Sequence, residues 1–256
     1  MKKYKAFLIL VVFVGLICFG LYIYHWEYRE QLLEVHFFSL NKGRAVFIRT
    51  PQNKTILVGG GQNSEVIREL TKNMPFYKRR IDYVVLSSAV PAQIGGLIEV
   101  VDRYEVKEII ISKIMATSTV LDLLMKEIRK KKIHIEEVER GDEIDIEPDL
   151  RLDVLFPRVD FKFNKSSLPE LGFSISYSTT SVYLMGNLSK TIQKDIAGIL
   201  SAQDVKSDQN LIEFYNSGGE SKVSKELIEK LKPSFVFTTK EKAVGFESSG
   251  ERWVSR

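Results

Sequence analysis

The stretch DYVVLSSAVPAQIGGLIEVVDRYEVKEIIIS, residues 82–112, decides the fold. DYVVLSS is a near-continuous apolar run of the kind that forms a strand buried on both faces, and a loop containing Gly95 and Gly96 follows it. LIEVVDRY reads as a helix and VKEIIIS as the next strand, so the unit is strand, loop, helix, strand.

Upstream, LEVHFFSL, GRAVFIRT and TILVG read as three short strands rich in β-branched and aromatic residues, with a turn at Pro51 to Lys54, which predicts a β-meander. Gly59, Gly60 and Gly61 end the third strand. In SEVIRELTKNM, Ser64 is placed to cap a helix with Ile67 and Leu70 on one face. Downstream, Thr119 to Lys132 is an amphipathic helix carrying Leu121, Leu124, Met125 and Ile128, followed by strands around IHIEEV and DEIDIE.

A second half repeats the order. RLDVLF, GFSISYS and SVYLMGN read as strands, Thr191 to Leu200 as a helix, and NLIEFYN, SKELIEKL, SFVFTT, AVGFES and ERWVS as strands around one further helix. Two mixed halves, each burying one sheet face, predict a four-layer αββα sandwich with the helices outside.

The N-terminal thirty residues differ. Ala6 to Tyr24 is an uninterrupted apolar and aromatic run, and at 1.5 Å per residue it spans roughly 30 Å of hydrocarbon. Lys2, Lys3 and Lys5 precede it, whereas Glu27, Arg29 and Glu30 follow it, which predicts a cytoplasmic N-terminus and an extracytoplasmic domain over residues 31–256. Tyr22, Tyr24, Trp26 and Tyr28 suit the far membrane interface. A cleaved signal peptide is the alternative, but the run is long for one and no small-x-small site follows. A lipidated Cys18 is disfavoured by the bulky Ile17 and Phe19 beside it.

Composition narrows the function. The formal net charge is +4, and Lys2, Lys3 and Lys5 supply three of those charges, so a global nucleic-acid footprint is absent. A single cysteine excludes an intrachain disulfide and a four-cysteine zinc site. The three histidines, His25, His36 and His134, lie beside the apolar run and in strand-like segments, and none sits in a glycine loop. A dinuclear hydrolase gathers several His and Asp at strand ends, so no metal and no other cofactor is expected.

The order of segments and their glycines resembles the metallo-β-lactamase superfamily, and more closely the β-lactamase-like domain of ComEC-type DNA-uptake competence proteins, from about Leu33 to Arg256. Where that family has Gly-Gln-Gly-Asp, this chain has Asn41, Lys42, Gly43 and Arg44. Where it has Ile-Asp-Gly-Gly, this chain has Val58, Gly59, Gly60 and Gly61. LSSAVPAQIGGL resembles the metal loop Leu-Ser-His-x-Asp-x-Asp-His-Ile-Gly-Gly-Leu, with Ser88, Val90, Ala92 and Gln93 in the four ligand-type positions. YLMGNL resembles a Leu-Thr-Gly-Asp segment, with Gly186 kept and Asn187 replacing the acid, and FYNSGGES resembles a His-His-Gly-Ser segment with Asn216 and Ser217 in the histidine positions. The family's Gly-His-Pro segment and its helix are shortened to TTKEKAVGF.

The resemblance implies a scaffold whose zinc-type ligands, and with them the metal-activated hydroxide, are gone. It therefore points to a membrane-anchored, non-catalytic interaction or scaffold module with an unidentified protein partner. A hydrolase or nuclease using Asp82, Asp102, Asp204, Asp208 or Glu213 as displaced ligands is the alternative from another class. Ser88 lacks the Gly-x-Ser-x-Gly elbow of a nucleophile. Gln93, Asn187 and Asn216 could line a neutral hydrogen-bonding cleft, although ordinary loop satisfaction by amides explains them as well. Lys78, Arg79, Arg80 and Arg129 to Lys132 could meet phosphates, giving a nucleic-acid-binding alternative, although cations at a helix end also face its dipole favourably.

Overall fold

The computed structural model describes residues 12–21, 32–158, 160–161, 170–200, 205, 209–214, 223–238 and 243–255. Residues 12–21 form a helix, α1, whose apolar side chains are exposed. The remainder of the Ala6 to Tyr24 run lies outside the described residues, as do His25 and the flanking lysines. Among the described residues no helix is long and apolar enough to cross a membrane.

Residues 32–256 form a compact unit by themselves. The strands of the first half are β1 (Leu33–Ser39), β2 (Arg44–Arg49), β3 (Thr55–Val58), β4 (Arg80–Leu86), β5 (Glu105–Ser112) and β6 (His134–Val138). Then follow β7 (Glu143–Glu147), β8 (Leu150–Phe156), β9 (Gly172–Tyr177), β10 (Thr180–Leu184), β11 (Asn210–Phe214), β12 (Phe235–Thr238), β13 (Val244–Ser248) and β14 (Trp253–Ser255). One sheet has the order β14-β13-β1-β2-β3-β4-β5-β6 and the other β12-β11-β10-β9-β8-β7.

Each sheet begins as an antiparallel meander and continues in parallel. β1, β2 and β3 pair antiparallel before β3 to β6 run parallel, and β7 to β10 pair antiparallel before β10 to β12 run parallel. The parallel steps need crossovers, supplied in the first sheet by α2 (Glu65–Asn73), α3 (Pro91–Ile94) with α4 (Leu97–Arg103), and α5 (Thr119–Lys131). In the second sheet α6 (Lys190–Ile199) and α7 (Lys225–Leu231) supply them.

Three apolar clusters fill the layers. Val35, Phe37, Val58, Val85 and Ile110 meet Leu152, Phe173, Val182 and Phe237 between the sheets. Phe47, Leu57, Val84 and Ile109 pack beneath α2 to α5 through Leu70, Leu97, Val101 and Leu124. Tyr183, Ile212 and Phe214 pack beneath α6 and α7 through Ile196 and Leu227. Among the described residues, every member of these clusters lies between Leu33 and Trp253.

The structure differs from the sequence expectation in three places. β13 and β14 return to the first sheet, where β13 pairs antiparallel with β1, while β7 belongs to the second. Alternation marks which side chains face inward and does not say which sheet a strand joins. The loop after β4 contains the one-turn helix α3, with Pro91 at its start, where a missing N–H costs nothing. Ser64 makes no side-chain cap because its backbone is not extended; Asn63 Oδ1 accepts the Glu65 N–H at 3.1 Å instead.

Candidate functional site

β4 delivers Ser87 and Ser88 to the C-terminal edge of the first sheet, both fully buried. Ser88 bridges antiparallel to Glu170, and the Leu171 N–H donates to the Ser87 carbonyl at 2.6 Å, so the two sheets are stitched together here. Ser88 Oγ accepts the Val90 N–H at 3.2 Å, which turns the chain into α3.

The glycine frame persists because backbones touch. Gly61 N–H donates to Arg44 O at 3.0 Å, Gly96 N–H to Gly61 O at 3.0 Å and Gly60 N–H to Gln93 O at 2.7 Å. Gly43 has φ +81°, and a Cβ there would stand 1.6 Å from the Ala92 carbonyl oxygen. No other residue fits that contact. Gly59, Gly60, Gly61, Gly95 and Gly96 belong to the same packed turn region, so these glycines are required for packing whether or not a metal is bound.

What occupies the centre is an ion cluster. Arg44 at the start of β2 is 4% exposed and Glu213 on β11 is 1% exposed; Arg44 Nη1 donates to Glu213 Oε2. Arg44 Nη2 lies 3.3 Å from Ser87 Oγ. Glu170, 5% exposed, accepts the Asn187 N–H through Oε2 and is further held by Ser88 and the charge of Arg44. Burial pushes the Glu170 carboxyl above the usual carboxylate range, Arg44, the Asn187 N–H and Ser88 pull it down, and neighbouring Glu213 raises it. Gly186 has φ +59°, and a Cβ on it would come within 2.3 Å of Glu170 Oε2 and 2.9 Å of Arg44 Nη2. The glycine lets the cluster close.

The sequence-predicted positions Gly59, Ser88 and Gln93 are buried, and Val90, Ala92 and Asn187 are half-buried. Asn216 and Ser217 lie outside the described residues. Of the described ones, Ser88 and Asn187 are drawn into the ion cluster. The Gln93 amide is 1% exposed and makes no hydrogen bond among the described residues. Among the described residues, the ion cluster lies beside Ser88 and Asn187, and Asn216 of the possible amide cleft lies outside them. Cavities of about 410 and 760 Å³ lie elsewhere, one beside His36, Arg49, Glu69 and Lys72 and one beside Arg140, Arg151 and Tyr177.

A divalent metal does not fit these residues. Gly59, Val90 and Ala92 offer no donor, and a guanidinium already supplies the positive charge between Glu170 and Glu213. Of the displaced ligands, Asp82, Asp102 and Glu213 are described, and they form no metal-type group among the described residues. Asp82 accepts Thr55 N–H at 3.0 Å and pairs with Arg80 at 3.2 Å, Asp102 is exposed, Glu213 is bound to Arg44, and Asp204 and Asp208 lie outside the described residues. Among the described residues, the group of His and carboxylates whose ligand atoms all lie within 4.8 Å of one another is Glu108, His134 and Glu136, on the surface of β5 and β6. His36 is buried on β1 and bonded to Glu34 at 3.2 Å. The basic run at the end of α5 is partly structural: Lys131 Nζ donates to the Val101 and Asp102 carbonyls at 2.6 and 2.7 Å, capping α4.

Glu170 has no counterpart in any motif read from the sequence, and its role was missed. The available signal was a pair of isolated charges inside apolar strands, Arg44 before AVFI and Glu213 within NLIEF.

This fold and the position of its strand-end turns define the class: the chain has the metallo-β-lactamase fold, shared with solved structures of that superfamily. CmlA, a diiron β-hydroxylase from Streptomyces venezuelae, matches with a TM-score of 0.50 at 15% identity, over 80% of this chain and 44% of that one. A long-form RNase Z from yeast matches with a TM-score of 0.50 at 10% identity, over 80% and 37%. In sequence, the chain resembles ComE operon protein 3 of Bacillus subtilis, 25% identical over 246 residues, which cover 88% of this chain. The match spans 30% of that protein's length. No family model matches the chain.

Proposed function

We propose that the chain is a membrane-anchored pseudoenzyme, a non-catalytic interaction or scaffold module built on the metallo-β-lactamase fold. The observation that carries this reading is the Arg44–Glu213–Glu170 cluster at the strand ends. In a metallohydrolase that end must present a Lewis-acidic cation with an open coordination position to water. A guanidinium donates hydrogen bonds but cannot ligate or activate water in that way, and here it is sealed from solvent. The apolar N-terminal run supports the anchor, and the flanking charges support an extracytoplasmic domain. The likeness to ComE operon protein 3 supports a protein partner in a competence-type assembly.

Elemental analysis of the purified full chain after dialysis tests the central point. The expected result is no zinc, manganese or iron near stoichiometry and no hydrolysis of phosphodiester or lactam substrates. Stoichiometric metal, retained in His134→Ala and lost together with a hydrolytic activity in Glu170→Gln, overturns the reading. Metal lost only in His134→Ala marks the exposed Glu108–His134–Glu136 group as a surface cation site and leaves the pseudoenzyme reading standing. For the anchor, protease accessibility of the domain on intact cells with the outer layers removed is the check; a domain shielded on the cytoplasmic side contradicts it.

A further inference from the structure

The turn leading into β4 is Met74-Pro-Phe-Tyr-Lys-Arg-Arg80. Met74 is buried in the helix-covered core, and the Lys78 N–H closes the turn onto the Pro75 carbonyl at 2.9 Å. Between them Phe76 is 89% exposed and Tyr77 75%. Among the described residues of the 32–256 domain they are the exposed large aromatics. Their rings meet edge to face, centroids 5.5 Å apart at 84°.

Basic residues follow this pair directly in the chain. Arg79 and Arg80 are exposed, and Arg79 has no carboxylate partner among the described residues. Arg79 and Arg103 both act on the phenol of Tyr104, whereas Arg49 and Arg80 crowd the Lys78 ammonium, with Asp82 opposing them. The turn is also fixed at both ends. Lys78 Nζ donates to the Asn53 carbonyl, and the Glu105 N–H donates to the Arg79 carbonyl at 2.8 Å. A turn already ordered loses little conformational freedom on binding.

Exposed aromatic rings beside basic side chains have the composition of a membrane-interface contact: the rings partition into the headgroup layer and the cations meet lipid phosphates. Single-strand binders instead offer open ring faces along a basic groove. Here one ring's edge lies on the other's face, and the pair projects from a turn. We propose that the Phe76–Arg80 turn is a docking tip for an anionic lipid bilayer, with Phe76 and Tyr77 entering the interface and the exposed Arg79 contacting phosphate headgroups, while Lys78 holds the turn to Asn53 and Arg80 pairs with Asp82.

Residues 32–256, which form a compact unit by themselves, are the material for the test. Co-sedimentation is measured with phosphatidylcholine vesicles containing phosphatidylglycerol and with phosphatidylcholine alone. The domain is expected to pellet with the anionic vesicles, less as salt rises, and hardly with the neutral ones. F76S/Y77S should abolish pelleting, and Arg79→Gln should weaken it about fivefold. Matching unfolding midpoints establish that the variants are folded. Equal pelleting of native and F76S/Y77S domains, or no pelleting of either, overturns the proposal. Tip-dependent binding of a single-stranded oligonucleotide without vesicle binding also overturns it and assigns the surface to nucleic acid. Neither result bears on the pseudoenzyme reading, which rests on metal content.

Discussion

Arginines lie near both ends of β4, in opposite surroundings, one of them reaching over from β2. Past its C-terminal end, Arg44 is buried against Glu213, Glu170 and Ser87. At its N-terminal end, next to two exposed aromatic rings in the chain, Arg79 is exposed without a carboxylate partner among the described residues and Arg80 makes a surface pair with Asp82 at 3.2 Å. The same side chain is structural at one end, because taking its charge out of water demands compensating carboxylates, and nearly free of structural obligation at the other. Burial decides which arginines a fold depends on; sequence shows only that they are arginines.

The sharpest way to break this contrast is at the buried end. Arg44→Ala leaves Glu213 buried without its cationic partner and is expected to lower stability by about 3–5 kcal/mol in urea titration. Replacing both partners, Arg44→Met with Glu213→Leu, should recover most of that loss, because a buried pair exchanged for apolar groups is often close to neutral. If the single and double variants are equally unstable, the pair is not the source. Gly43→Ala comes next, at about 1–3 kcal/mol, since it combines a left-handed backbone with the Ala92 carbonyl contact.

Glu170 sharpens the comparison through pH. Its pKa is raised by burial, so the folded state holds the proton more tightly than the unfolded chain does. That contribution is fully present at low pH and is lost as pH rises from the ordinary carboxylate range through the raised value. Glu170→Gln should therefore flatten the stability profile across that window, read as unfolding midpoints over a pH series; an unchanged slope contradicts the assignment. The smallest effect belongs to the exposed end. F76S/Y77S should move stability by no more than about 0.5 kcal/mol, and a larger drop means the tip is structural.

Much of the architecture was legible because apolar runs and glycines report local conformation. The order of strands and helices follows DYVVL, EIII and SVYL. The ion cluster was not legible, because Arg44 and Glu213 are 169 positions apart on different sheets and only the packing of one sheet on the other brings them together. Glu170 is reached only through its bridge to Ser88, a contact with no local periodicity. The return of β13 to β1 was hidden for the same reason: its register with Leu33 to Phe37 is a tertiary fact.

The guanidinium of Arg44 has one further consequence. A metal ion is borrowed from the surroundings and can be stripped by a chelator, outcompeted by another ion or simply scarce. Arg44 is covalently part of the chain and keeps its proton throughout the physiological range. On the proposed pseudoenzyme reading, a domain centred on it needs no borrowed ion at its strand ends, so metal starvation leaves that site as it is.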